Sequence, residues 1–290
     1  MDKMDKMDKI LKVVTWNVNG IRSRIFNDKI ASKLKKGVQM EIQENSPIDI
    51  LIKEEDPDVI CLQETRCSVA ISENFKIPGY KSYFNESKSI GARAPERYSG
   101  TCIFYKEHLI LRDIQEQIPG YEDTEGRIIA ANFDNFVLIT VYAPNSGSNY
   151  DKKIVFIEAI LNFLNSLDGK VIFCGDLNIA VSTHFDIKST IPMPGIYPHE
   201  LEFYNSLIRI NYRDCIENDD IVFTWWDTRR AKENGMSIAR NRNEGWRLDY
   251  FFTKNINQGS SKCLKHIGEN NENIPLASDH GVVILNAIID

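Results

Sequence analysis

VIFCGDLNIA, residues 171–180, begins like a buried strand and ends like a site. Val171 to Gly175 are apolar, as a strand covered on both faces requires. The chain then sets Asp176 and Asn178 at the strand's end with only Leu177 between them. Gly, Asp and Asn are the usual turn residues, so taken alone the stretch reads as a strand followed by a turn. Whether it is more depends on whether other strands end in the same way.

They do. Apolar runs suited to strands recur at 11–16 (LKVVTW), 58–63 (DVICLQ), 100–105 (GTCIFY), 136–143 (FVLITVYA), 170–176 (KVIFCGD), 220–226 (DIVFTWW), 248–253 (LDYFFT) and 281–288 (GVVILNAI). Many of them meet polar residues at one end: Asn17 and Asn19, Glu64, Asn145, Asp176 and Asn178, Asp249, then Asp279 and His280. Acid, amide and imidazole side chains at six strand ends are what a site built on a rigid sheet needs. Helical periods lie between some of these runs. At 154–167 Ile154, Ile157, Ile160, Leu161 and Leu164 form one stripe, and at 199–209 Leu201, Tyr204 and Leu207 or Ile208 form another. Residues 100–143 are strand after strand, so βαβ alternation fails. A mixed sheet or pair of sheets with flanking helices is expected.

The 290 residues hold 42% hydrophobic and 26% charged side chains, ordinary for a globular protein, and no apolar run approaches a membrane span. MDKMDKMDK lacks the apolar centre of a signal peptide and reads as a flexible charged tail over 1–9, ahead of one domain at 10–290. The six cysteines show no metal or redox spacing, which suggests an intracellular, reducing compartment without disulfides. The net charge of −6 argues against a whole-surface grip on nucleic acid. Positive charge is nonetheless clustered. Residues 228–245 hold Arg229, Arg230, Lys232, Arg240 and Arg242 against Glu233 and Glu244, and the arginines are candidates for phosphate contacts. As a single feature, such a run is more often a solvated face.

Glu64, Asp176 and Asp279 are hard oxygen donors, suited to Mg²⁺ with Mn²⁺ as a substitute and unsuited to structural zinc. Asp176 and Asn178 could activate and orient a water. A carboxylate-paired His280 could stay protonated opposite a phosphate, and Tyr142 and Asn145 would add neutral donors. Without a nucleophile elbow or a Walker loop in the chain, metal-assisted phosphodiester hydrolysis is the reaction class these residues suggest. Taken singly, each has a structural reading: Glu64 a surface carboxylate, His280 a buried structural histidine, Tyr142, Trp225 and Trp246 core aromatics.

Eight blocks, TWNVNGIR (15–22), PDVICLQETRC (57–67), YSGTCIFYK (98–106), EGRIIAANFDNFVLITVYAPNSG (125–147), CGDLNIA (174–180), FTWWDTRR (223–230), GWRLDYFF (245–252) and SDHGVV (278–283), together resemble the exonuclease III-type apurinic/apyrimidinic (AP) endonucleases of the endonuclease/exonuclease/phosphatase superfamily. They stand in the family's order and span nearly all of the chain after the tail. The resemblance implies a four-layered α/β sandwich: two mixed β-sheets face to face with flanking helices, the DNase I-like fold. It implies a catalytic set of Asp176, Asn178, His280, Asp249 and Tyr142, and a metal region of Glu64, Asn17 and Asp279. It also implies substrate contacts at Asn145, Trp225, Trp246 and Leu248, the last three lining a pocket for a base-less sugar. The activity implied is base excision DNA repair by a monomer on duplex DNA. It would hydrolyse the phosphodiester 5′ to an abasic site, leave a 3′-hydroxyl, and also trim blocked 3′ ends.

Some positions depart from the family. Asn19 stands where many members have Asp. Residues 35–50 and 227–245 look inserted, and Ser148 replaces an arginine that some members direct at DNA. Three alternatives follow: mainly 3′-end processing, a superfamily phosphatase acting on a small substrate, or a non-catalytic DNA-binding relative. The segment GWRLDYF argues against the phosphatase, and the intact acid–amide–histidine set argues against a dead relative.

Overall fold

The computed structural model describes residues 10–25, 40–68, 75–88, 98–181, 192–216, 222–227, 232–233, 236–256, 259–265, 267 and 278–289. In chain order its strands are β1 (Ile10–Asn17), β2 (Met40–Glu41), β3 (Val59–Gln63), β4 (Phe75–Lys76), β5 (Tyr80–Asn85), β6 (Thr101–Lys106), β7 (Leu111–Gln115) and β8 (Ile128–Phe133). They continue with β9 (Val137–Tyr142), β10 (Val171–Asp176), β11 (Arg213–Asp214), β12 (Lys232–Glu233), β13 (Met236–Ser237), β14 (Asp249–Lys254), β15 (Gly259–Leu264) and β16 (Val282–Ile288). Two sheets of six strands dominate, in the orders β15-β16-β1-β3-β6-β5 and β11-β14-β10-β9-β8-β7.

The two sheets repeat one directional pattern. Each has a single parallel pair at its centre, β1/β3 in one and β9/β10 in the other, and the pairings flanking it are antiparallel. The C-terminal ends of a parallel pair lie side by side, and an antiparallel neighbour starts where they end. Asn17, Tyr142 and Asp176 therefore share a border with the beginnings of β14 and β16. Register makes this concrete: Asp176 lies opposite Tyr142 on one side and Asp249 on the other.

Burial explains the apolar runs. Strand side chains alternate between faces, and here both faces are covered. Ile172 and Cys174 enter the layer between the sheets with Val13, Cys61, Phe251 and Leu285. Val171 and Phe173 pack outward under the helices Tyr150–Ser166 and Pro198–Arg209. On the other sheet Val14, Trp16, Ile60 and Leu62 meet the helix Pro47–Glu55. That helix starts with Ser46 accepting from the Asp49 amide and with Pro47 in its first turn. The result is the expected helix–sheet–sheet–helix sandwich. All six cysteines are free. No helix among the described residues is long and apolar enough to cross a membrane.

Three expectations need correction. DIVFTWW forms no ladder strand over its described residues; Trp225 makes isolated bridges to Trp246 and His280. The reason is that its backbone bonds go to two lead-ins at once. Trp225 exchanges bonds of 2.8 Å with Trp246, while the Trp226 amide donates to Asp279 and Thr224 accepts from Gly281. In the helix Pro198–Arg209 Leu207 is buried and Tyr204 packs partly buried against the core as expected, but the fully inward positions also include Glu200 and Phe203, and Ile208 is 45% exposed. In the helix Tyr150–Ser166 Ile157, Ile160 and Leu164 are buried as expected and Leu161 packs partly buried beside them, while Lys153, Phe156 and Ala159 complete the buried stripe in place of Ile154. Residues 1–9 and 35–39 lie outside the described residues, as does most of 228–235; within 40–50 the chain adds β2, paired with β4, and the start of the helix at 47.

Gly175 is required where it stands. Its φ is +130°, and a Cβ there would sit 2.0 Å from the Val141 carbonyl oxygen on the neighbouring parallel strand. Gly175→Ala is expected to cost about 3 kcal/mol from strain and overpacking. Calorimetry should show the thermal midpoint falling by roughly 6 °C or more.

Candidate active site

The strand ends meet in an open pocket of about 300 Å³. Glu64, Tyr142, Asn145, Asp176, Asn178, Trp225, Trp246, Leu248, Asp279 and His280 line it, together with Pro194 and Gly195. Asn17 and Asp249 are fully buried behind that surface. Ten of the residues picked from the sequence thus share one cavity and two support it. Arg229 and Arg230 lie outside the described residues.

Local geometry aims these groups. After β3 the chain places Glu64 at φ +51°, and after β10 it places Asn178 at φ +50°. Asparagine tolerates this left-handed region, whereas for glutamate it is a strained choice costing of order 1–3 kcal/mol. The turn Asp176–Asn178 is closed by the Asn178 amide donating to Asp176 Oδ1 at 2.9 Å. Asn178 Nδ2 donates to the Ala143 carbonyl at 2.9 Å, and Asn145 Nδ2 lies 3.4 Å from Asn178 Oδ1. The polar burst is therefore a turn and a site at once.

Asn17 is the hub. Its Nδ2 donates to Glu64 Oε1 at 3.0 Å and to Asp176 Oδ2 at 2.9 Å, while its Oδ1 accepts from the Asn19 amide at 3.1 Å. In this arrangement it bridges two carboxylates and turns its oxygen away from them. Arg66 pairs with the other Glu64 oxygen. Asp279 accepts from Asn19 Nδ2 and Trp225 Nε1, each at 3.0 Å. Asn19 is thus a holder of Asp279 in this chain.

His280 Nδ1 donates to Asp249 Oδ2 at 2.8 Å, and its Nε2 lies 3.8 Å from Asp176 Oδ2. Burial pushes the imidazolium down, but the Asp249 carboxylate, then Asp176 and Asp279, overcome this and raise it to about 10. Burial moves Asp176 the other way, well above the usual carboxylate range, with Asp249 adding to the rise and His280 opposing it. Tyr142 stays a neutral donor, because burial and then the charges of Glu64 and Asp176 disfavour its phenolate.

Where could a cation sit? Asp176, Asp249 and His280 offer ligand atoms within 4.8 Å of one another. In that trio the 2.8 Å bond between His280 Nδ1 and Asp249 Oδ2 already engages one ring nitrogen and one carboxylate oxygen with each other. Glu64 and Asp279 also line the pocket, the Glu64 oxygens meeting Asn17 and Arg66 and the Asp279 oxygens meeting Asn19 and Trp225. That hard-donor set fits Mg²⁺ or Mn²⁺.

Two supports were not picked out from the sequence. The buried Arg127 lies 4.7 Å from the Tyr142 ring and donates to the Tyr142 carbonyl, held by Glu125 at 2.6 Å. Its signal was its place in the EGR block. Lys153 lies under the Asp176–Asn178 turn, and its signal was a charge on an otherwise apolar helical stripe. One charge was misplaced. Arg240 is 3% exposed with its guanidinium 4.4 Å over Trp226, so it is not free to meet DNA phosphates; Arg242 is exposed.

The model of a family described as Endonuclease/Exonuclease/phosphatase matches residues 14–280. An exodeoxyribonuclease of Bacillus subtilis is 32% identical over 255 residues, covering 83% of this chain and 87% of the relative. The DNA repair nuclease APEX1 of Danio rerio is 28% identical over 292 residues, covering 95% of this chain and 81% of the relative. Among solved structures, an AP endonuclease from Leishmania major superposes with a TM-score of 0.71 at 23% identity, covering 97% of this chain and 88% of that one. A 3′ phosphatase from Neisseria bound to a product DNA hairpin gives 0.70 at 19% identity, covering 97% and 99%.

Proposed function

The chain belongs to the endonuclease/exonuclease/phosphatase family, and on that premise we propose that it is a Mg²⁺-dependent AP endonuclease of base excision DNA repair. It hydrolyses the phosphodiester 5′ to an abasic site and leaves a 3′-hydroxyl. The same site trims blocked 3′ ends, in keeping with the name of its Bacillus relative. One observation supports this reading above the others: Trp225, Trp246 and Leu248 share a pocket with Asp176, Asn178 and His280. An apolar wall beside a phosphate-directed set suits a sugar without its base. Extruding such a nucleotide is cheap, because no base pair has to break.

The residues divide the work. Asp176 accepts the proton of the attacking water, and its raised proton affinity suits a general base. Asn178, fixed through the Ala143 carbonyl, orients that water. The His280 imidazolium, kept charged by Asp249, stands opposite the developing phosphoryl charge, where preorganised donors act most strongly. Tyr142 and Asn145 donate to the remaining phosphate oxygens. Glu64 and Asp279 would hold Mg²⁺, with Asn17 steadying Glu64. When bound, the cation supplies Lewis-acid polarisation of the phosphoryl oxygen and charge stabilisation at the leaving 3′-oxygen.

A duplex with one tetrahydrofuran abasic analogue, 5′-labelled and incubated with Mg²⁺, should give one product ending in a 3′-hydroxyl, and none with EDTA. Shortening from nicks without incision would move the assignment to 3′-end processing. Glu64→Gln should weaken cation binding by at least about 10-fold, measured directly with Mn²⁺ by electron paramagnetic resonance. Unchanged affinity would remove Glu64 from the cation site.

A further inference from the structure

Lys153 is the one charged residue on the buried stripe of the helix Tyr150–Ser166, and it has no accessible surface. Its Nζ ends beneath the catalytic turn, where it donates to the carbonyl oxygens of Leu177 and, at 3.5 Å, of Asn178. These carbonyls belong to the residues that follow Asp176, in a turn whose Asn178 sits in the left-handed region. A buried charge is costly unless it is compensated. Burial pushes the ammonium down to about 8, and the buried Glu200 carboxylate, with Asp176 behind it, opposes that fall. Lys153 is therefore still charged at neutral pH. A methionine would fill the space without this cost, so the charge calls for a reason.

Glu200 shows where the second anchor lies. Its carboxylate accepts from Ser146 Oγ at 2.6 Å and from the Tyr197 amide at 2.8 Å. Ser146 follows Asn145, so Glu200 is tied to one catalytic turn and Lys153 to the other. The two turns meet in the pocket, where the Asn145 and Asn178 side chains lie 3.4 Å apart.

We propose that Lys153 is a positioning residue, whose ammonium clamps the Leu177–Asn178 backbone from below and, with Glu200, sets the spacing of Asn178 from Asn145. It acts through Asp176 and Asn178, and touches neither substrate nor cation. The inference rests on the hydrolytic reading of the site given above.

The test is Lys153→Met in the full chain, with Leu164→Ala as a core truncation on the same helix. Lys153→Met should lower kcat for abasic-site incision about 10²-fold, as expected for slight misplacement of catalytic groups, with KM changed less than about 2-fold. In an Asn178→Ala background most of that loss should vanish, because the two act through one group. Hydrogen exchange at the amides of 178–180 should quicken. Leu164→Ala should lower the thermal midpoint while leaving both kcat and that exchange in place. If Lys153→Met alone is insoluble, the neutral double variant with Glu200→Gln is expected to show the same kcat loss and faster exchange. Unchanged kcat, a full loss on top of Asn178→Ala, or unchanged exchange would overturn the clamp. A wild-type chain that incises no abasic duplex would instead sink the hydrolytic reading, and the exchange measurement would still decide whether Lys153 holds the turn.

Discussion

Asp176→Asn is expected to slow single-turnover incision of an abasic duplex by about 10²–10⁴-fold, the range for loss of a general base. The replacement is nearly isosteric. Its Oδ1 can keep the bond from the Asn178 amide, so the turn should persist. It loses the proton acceptor that Asn17 orients and that lies 3.8 Å from His280. The buried negative charge also disappears, which removes its desolvation penalty and offsets the loss of one of the carboxylates facing His280, Asp249 remaining as its partner. The thermal midpoint should therefore shift by no more than about 3 °C. A small rate effect, below about 10-fold, would mean that another group takes the proton.

His280→Asn is the second large effect, expected at about 10²–10³-fold in kcat, the usual cost of removing one preorganised donor. The imidazolium is buried, fixed by Asp249 and charged, so it is ready before the reaction begins. Asparagine can still donate one hydrogen bond but brings no charge. It also leaves the Asp249 carboxylate, which is fully buried, without its cation. The variant should accordingly be less stable than wild type as well as slower, whereas Asp176→Asn should be slower only. Comparing their unfolding midpoints and single-turnover rates separates the two roles.

The strands were legible because both faces of the two large sheets are covered, which turns their central strands into unbroken apolar runs. VICLQ and VIFCG show this plainly, each sending alternate side chains into different layers. DIVFTWW carried the same apolar pattern, yet its described residues, 222–226, form no ladder strand, since composition does not say which backbone will be available to pair. The site was legible for a topological reason. Polar residues at the ends of β1, β3, β9 and β10, at the start of β14 and just before β16 have to meet once the two parallel pairs are central. The supports beneath it were harder to find. Lys153 meets backbone carbonyls 24 and 25 residues away, and Arg127 meets an aromatic face and a carbonyl 15 residues away, partners that neither the charge on the apolar stripe nor the EGR block identifies. Arg240 failed as a DNA contact because charge density along the chain does not reveal which guanidinium lies over a tryptophan.

The central claim is that this pocket directs a water onto the phosphorus 5′ to an abasic site. The most direct test is incision of a duplex carrying a natural abasic site in H₂¹⁸O with Mg²⁺, followed by mass analysis of both fragments. Hydrolysis at the pocket predicts one ¹⁸O in the new 5′-phosphate and an unlabelled 3′-hydroxyl on the other fragment. An unlabelled 5′-phosphate with an unsaturated aldehyde at the 3′ end would show elimination at the sugar, and would contradict the account.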